Sequence, residues 1–126
     1  NGDIVDAQTG ARAMDLSTAD GIMIGRGAQG RPWMLAQVAA ELAGDAPTKA
    51  PTGHDLIDLV SKHYEAMLTF YGTEMGRKVS RKHLGWYMDD AGTDTPLRKA
   101  ILTEKVPAAV LRLIPDALGS DGQVAA

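Results

Sequence analysis

Two glycine turns hold the residues of this chain whose types and spacing suit chemistry. One is Asn1-Gly2-Asp3-Ile4. The other is Gly25-Arg26-Gly27, which follows the apolar run Gly21-Ile22-Met23-Ile24-Gly25 and leads into Gly30-Arg31-Pro32-Trp33. A glycine has no Cβ to bar close approach to backbone N–H groups, and an arginine beside it adds a permanently charged fork that matches phosphate oxygens. Two strand-end turns separated by a single helix suggest adjacent βα units with both turns facing one ligand, and this predicts a phosphate-holding pair built on Gly2, Gly25 and Arg26. Taken singly, each reads as an ordinary glycine turn, with Arg26 a surface arginine. Of the neighbours, Asp20 ends a helix-to-strand turn and Gly27 relieves crowding, while Arg31 faces either a phosphate or solvent.

A second chemical feature is the cluster Arg77, Lys78, Arg81 and Lys82. Residues three and four apart share a helical face, so the spacing predicts a basic surface able to contact phosphates along an RNA backbone. A solvated charged face is the ordinary alternative. Arg98 and Lys99 are secondary phosphate candidates. His83 reads as a core or hydrogen-bonding histidine beside Trp86, with Trp86 in the core and Tyr87 either packed or free to stack on bases. His54 and His63 lack an i,i+4 relation, and without cysteine the set predicts no metal site. Asp89, Asp90 and Asp94 read as turn chemistry.

The elements that must position these groups follow from periodicity. Residues 5–18 predict a short helix with a modest apolar face (Val5, Ala7, Ala11, Ala13, Met14, Leu16), and Gly21–Gly25 a short buried parallel strand. A helix over 32–43 stops at Gly44. The Pro/Gly/Thr-rich stretch 44–53 marks a boundary, dividing the chain into 1–45 and 46–126. Beyond it the pattern is all helical. One helix is opened by a Thr52/Asp55 capping box, carries the stripe Leu56, Val60, His63, Met67, Phe70, and ends at Gly72. The next covers about 74–88, with Met75, Val79, His83 and Trp86 on its apolar face. A short helix is capped by Thr95 with Pro96 at its first position. A last helix spans 106–118 with Val110, Leu111, Leu113 and Ile114 for a core, and 120–126 is a frayed tail.

Composition bounds the rest. The 126 residues carry a formal net charge of -3 with 44% hydrophobic residues, which argues against a generally basic nucleic-acid binder and confines any RNA-binding surface to a local patch. A cysteine count of 0 excludes disulfides, thiolate metal sites and cysteine nucleophiles within these residues. No apolar run approaches the roughly 20 residues that span a bilayer, and no signal peptide is visible, so the expected location is the cytoplasm. The opening Asn1-Gly2-Asp3, lacking an initiator Met, reads as a strand exit and thus as the C-terminal piece of a longer protein.

The motifs Asn1-Gly2-Asp3-Ile4, Ala19-Asp20-Gly21-Ile22-Met23-Ile24-Gly25-Arg26-Gly27 and Gly30-Arg31-Pro32-Trp33 together resemble the end of the catalytic barrel of bacterial tRNA-dihydrouridine synthases. Arg81-Lys82-His83-Leu84-Gly85-Trp86-Tyr87 resembles the helical-domain motif of the B-type members, some of which are labelled nitrogen-regulation proteins. The likeness covers essentially the whole chain in motif order and spacing. It implies a mainly α fold, with the last βα elements of a TIM barrel followed by a small helical bundle. A barrel takes roughly 250 residues, so about one and a half βα units would be here.

The resemblance further implies that FMN, reduced by NADPH, delivers hydride to a tRNA uridine and reduces its C5–C6 double bond. The flavin contacts carry over to Asn1, Gly2, Asp3, Gly25 and Arg26, and tRNA binding to Arg77, Lys78, Arg81 and Lys82. Trp33 would pack barrel against bundle. The family's catalytic cysteine has no counterpart here, so no catalytic residue is assigned and these residues alone are expected to be inactive. Two other readings stay open: a non-catalytic helical RNA-binding module, and a different FMN-dependent barrel oxidoreductase acting on a small molecule.

Overall fold

The computed structural model describes residues 3–119. The sequence readings that fall on Asn1, Gly2 and 120–126 lie outside the described residues. The chain divides into two units, residues 1–50 and residues 51–126.

In the first unit, helix α1 (Ala7–Ser17) packs on helix α2 (Met34–Ala43). Asp6 caps α1 by accepting from the Thr9 backbone N–H, while the Thr9 hydroxyl accepts from the Asp6 N–H in return. That reciprocal pair starts the helix after Val5. At the crossing, a Cβ on Gly10 would stand 2.7 Å from Val38 Cγ1 and 3.2 Å from Ile22 Cδ1, so the missing side chain sets how closely α1 approaches α2. Gly44, in the left-handed conformation at φ 72°, ends α2.

The strand expected at 21–25 does not form, because a strand needs a partner ladder and residues 3–50 hold none. The segment instead lies beside α2. Ile22 and Ile24 line an apolar groove of about 220 Å³ with Leu35, Val38, Ala39 and Leu42, while Met23 between them is 65% exposed. The apolar face read for residues 5–18 is also only partly used, for Val5 and Leu16 are exposed.

In the second unit, α3 (Gly53–Tyr71) and α4 (Thr73–Ala91) form an antiparallel hairpin, closed by α5 (Thr95–Thr103) and α6 (Pro107–Leu118). Gly72 joins α3 to α4 at φ 83° and ψ 161°, a conformation essentially reserved for glycine. Four residues later a Cβ on Gly76 would stand 2.6 Å from the Met67 carbonyl oxygen. Gly76 and the buried Ser80 thus bring α4 against the α3 backbone. The core is Leu56, Val60, Tyr64 and Met67 of α3, Leu84, Tyr87 and Met88 of α4, Ile101 of α5, and Val110, Ile114, Ala117 and Leu118 of α6. Each large apolar side chain buried this way stabilises the fold by about 1.5–3 kcal/mol.

Several sequence expectations shift here. The buried row of α3 runs through Tyr64 rather than His63, and Phe70 is 80% exposed where the hairpin reverses. On α4 the buried face is Gly76, Ser80, Leu84, Tyr87 and Met88, while Val79, His83 and Trp86 are half-buried and Met75 is exposed, because the small Gly76 and Ser80 are what let α4 approach the α3 backbone. Thr52 stands before α3 but its side chain makes no capping bond, the Asp55 N–H bonding the Thr52 carbonyl instead. Asp94, not Thr95, is the residue before α5, with Pro96 inside its first turn. In α6, Leu111 and Leu113 are half-buried, and Ala117 and Leu118 complete the core. The Thr93 hydroxyl donates to the Ala117 carbonyl (2.9 Å), tying the α4–α5 turn to the end of α6.

Candidate functional site

The first candidate site lies in residues 3–50. The chain leaves Asp3 and turns into α1, while Arg26–Ala28 form one 3-10 turn ahead of α2. The two turns meet. Gly27 lies against the backbone carbonyl of Ile4, where any Cβ would collide, and Ile4 itself is buried. Arg31 staples the same crossing: its Nη2 donates to the Val5 carbonyl (2.9 Å) and more weakly to the Gly27 carbonyl (3.4 Å). Arg31 therefore serves the scaffold. Gly27 relieves crowding, and the crowding is the Ile4 carbonyl.

The structure brings Asp3, Gly25 and Arg26 together. Arg26 Nη2 donates to Asp3 Oδ1 at 2.9 Å, with the two side chains 83% and 81% exposed. At Gly25 nothing among the described residues lies within 4 Å of where a Cβ would stand, which leaves room for a ligand at its backbone. An open glycine beside an exposed arginine fits a phosphate. Asp3 is the counter-charge in place, and an arriving anion competes with it for the guanidinium. Asn1 and Gly2 lie outside the described residues.

The second candidate site is the outer face of α4. Lys78, Arg81 and Lys82 are exposed, but Arg77 is not one of their row. At 100° per residue Arg77 falls on the arc of Leu84 and Met88, and its side chain is only 15% exposed. It holds Glu74 at 3.3 Å, while its Nη1 and the Tyr64 hydroxyl are buried without hydrogen-bond partners among the described residues. Burial raises the Tyr64 pKa, and Arg77 nearby offsets part of that rise. Three cations on one face, rather than four, make the α4 surface.

Beside that row, α3 and α4 share a cluster of rings. The His63 and His83 rings lie 5.1 Å apart, His83 lies 5.2 Å from Trp86, and His63 Nδ1 is 2.9 Å from the Tyr87 hydroxyl. Burial pushes both imidazoles below their ordinary value, His83 further so by the nearby charges of His63 and Lys82, and pushes the Tyr87 phenol up to about 12. Tyr87 thus stays protonated and can donate to a neutral His63. Of the two uses open to it, Tyr87 takes the packed one, being only 3% exposed.

Sequence reasoning missed one arrangement on α4. Arg98 reaches across from α5, donates from Nε to Asp89 Oδ1 (2.8 Å) and from Nη2 to Oδ2 (3.4 Å), and passes over Gly85. A glycine in mid-helix was the available signal, since it costs helix stability and so marks a close approach. Among the described residues no group of three His, Asp or Glu side chains could hold a metal ion, and no helix is long and apolar enough to cross a membrane.

A model of the dihydrouridine synthase (Dus) family matches residues 1–116. A probable tRNA-dihydrouridine synthase of Rhodobacter capsulatus is 53% identical over 117 residues, covering 93% of this chain and 36% of the relative. A probable tRNA-dihydrouridine synthase of Rickettsia conorii is 38% identical over 116 residues, and tRNA-dihydrouridine synthase B of Xanthomonas campestris 39% over 116, each covering 92% of this chain and 35% of the relative. The chain belongs to the dihydrouridine synthase family, and it spans about a third of the length of these relatives.

Proposed function

We propose that this chain is the C-terminal part of a tRNA-dihydrouridine synthase, with the flavin-phosphate end of the catalytic barrel in residues 1–45 and a tRNA-binding helical domain in 46–126. The single observation that carries this reading is that one chain of the family holds both halves of the required chemistry. It has an open glycine–arginine turn for an anion and a separate basic helix face for a polyanion. The alternation Ile22-in, Met23-out, Ile24-in supports the barrel assignment. A barrel strand faces its helix on one side and the barrel interior on the other, and the exposed Met23 would fill that interior.

In the whole enzyme FMN, reduced by NADPH, would supply the hydride that saturates the uridine C5–C6 bond. The groups of this chain bind and orient. Gly25 leaves room for the flavin phosphate, with Asn1 and Gly2 as further contacts, and Arg26 neutralises it while Asp3 aims the guanidinium. Lys78, Arg81 and Lys82 neutralise tRNA phosphates, and so hold the target nucleotide where it can leave its stack. Arg77, half-buried and paired with Glu74, is not among them.

The direct test takes the 126-residue chain with FMN, NADPH and an unmodified tRNA transcript. The expected result is salt-dependent tRNA binding without dihydrouridine formation. Dihydrouridine formed by this chain alone would contradict the assignment, and salt-insensitive or absent tRNA binding would remove the helical domain's role. With RNA binding but no flavin dependence in any longer form, a non-catalytic RNA-binding module would take its place.

A further inference from the structure

We propose that Arg98 of α5 is a phosphate-contacting residue in the basic row of α4, set in place by Gly85 and Asp89. The inference rests on the reading of α4 as an RNA-binding face and deepens it. Lys78 precedes Arg81 by three residues and Lys82 by four, Gly85 follows those two by four and three, and Asp89 follows Gly85 by four, so all five lie within about 100° of arc. The row should end in a gap at Gly85. It does not, because the Arg98 guanidinium fills it, with Nη2 3.0 Å and Cζ 3.9 Å from the position a Cβ would take.

That is why Gly85 is buried on a face otherwise turned to solvent. Asp89 fixes the guanidinium through Nε and Nη2, so Nη1 lies outside the pair, and the Arg98 side chain keeps 37% of its exposure. From Lys78 to the level of Gly85 the row runs roughly 10 Å along the helix, and Arg98 stands one turn beyond Arg81. With Nε and Nη2 held by Asp89, the guanidinium is already oriented and keeps Nη1 for a phosphate, an ordering that a flexible lysine lacks. The net result is an exchange: Arg77 is half-buried off the row, and an arginine from another helix takes a place in it.

The measurement is the salt dependence of binding of an unmodified tRNA transcript to the full chain, with thermal midpoints taken in parallel. Arg98→Gln should lower affinity about ten-fold at low salt and reduce the slope of log K against log salt by about 1. Arg98→Lys should keep the slope but bind more weakly, and Arg112→Gln, on the exposed side of α6, should change neither. Gly85→Ala keeps every charge yet displaces the guanidinium, so it should weaken binding and answers the question if Arg98→Gln does not fold. A folded Arg98→Gln protein with unaltered slope and affinity would overturn the proposal and leave Arg98 a clasp between α4 and α5. If Arg81→Glu and Lys82→Glu also change nothing, the RNA-binding reading itself falls; if they weaken binding and Arg98→Gln does not, only this inference does.

Discussion

Gly27 is pressed against the backbone carbonyl of Ile4, and this contact joins the two turns of the first candidate site. No other residue type fits there. Gly25, two positions earlier, has open space among the described residues where its side chain would be. The two glycines of one turn therefore stand in different surroundings, Gly27 packed against backbone and Gly25 open.

Gly27→Ala should destabilise residues 3–50 by about 2 kcal/mol or more, since a backbone carbonyl cannot yield as a side chain can. Amide exchange in α1 and α2 would report it as lost protection. Gly25→Ala should leave the same protection within about 0.5 kcal/mol. In a flavin-loaded full-length enzyme it should instead weaken FMN retention.

Arg77 and Arg81 should separate cleanly, though both belong to one basic run in the sequence. Arg77→Met removes a buried charge whose Nη1 has no hydrogen-bond partner among the described residues. It should keep the tRNA salt slope, with stability unchanged or raised by about 1 kcal/mol. Arg81→Glu should leave thermal stability nearly unchanged and cut tRNA affinity. Tyr64→Phe, which deletes the other unpartnered buried atom, is expected to be neutral or mildly stabilising.

The histidine pair should make the second unit sensitive to acid. Both imidazoles have folded-state pKa values lowered below the ordinary 6.5, chiefly by burial, so the unfolded chain binds more protons than the folded one in that window. Their stabilising contribution is full above pH 6.5 and is lost as pH falls through the lowered values. Protonating His63 also makes its Nδ1 a donor, so it can no longer accept from Tyr87. Thermal midpoints should drop on going from neutral to mildly acidic pH, and His63→Gln should flatten that dependence.

Much of the second unit was legible in the sequence because its helices are strongly periodic and punctuated by Gly72 and Pro107, which stand where the pattern put them, although α4 runs on through Asp89 and Asp90 to Ala91, past the end expected at 88. Which face turns inward was less legible. Gly76 and Ser80 are not apolar, yet they are buried because α4 approaches the α3 backbone, an effect of contact distance that hydrophobic periodicity does not register. The half-buried placement of Arg77 escaped notice for the same reason. At the first site, Gly25 and Arg26 were visible as a motif. The bracing by Arg31 and the Asp3–Arg26 pair depend on chain crossings between residues far apart in sequence, which local spacing does not encode. The strand at Ile22–Ile24 failed for want of ladder partners, a non-local condition.

An exchange experiment decides whether these residues supply the flavin-phosphate turn and the tRNA-binding domain of a dihydrouridine synthase. The matched 117-residue segment of the Rhodobacter capsulatus relative is replaced with this chain, and dihydrouridine in an unmodified tRNA transcript is measured with FMN and NADPH supplied. The exchanged enzyme should form dihydrouridine, and Arg26→Ala in it should lower FMN retention and activity together. A well-folded exchanged enzyme that binds tRNA and FMN normally with Arg26 removed, or that forms no dihydrouridine with Arg26 in place, would contradict the assignment.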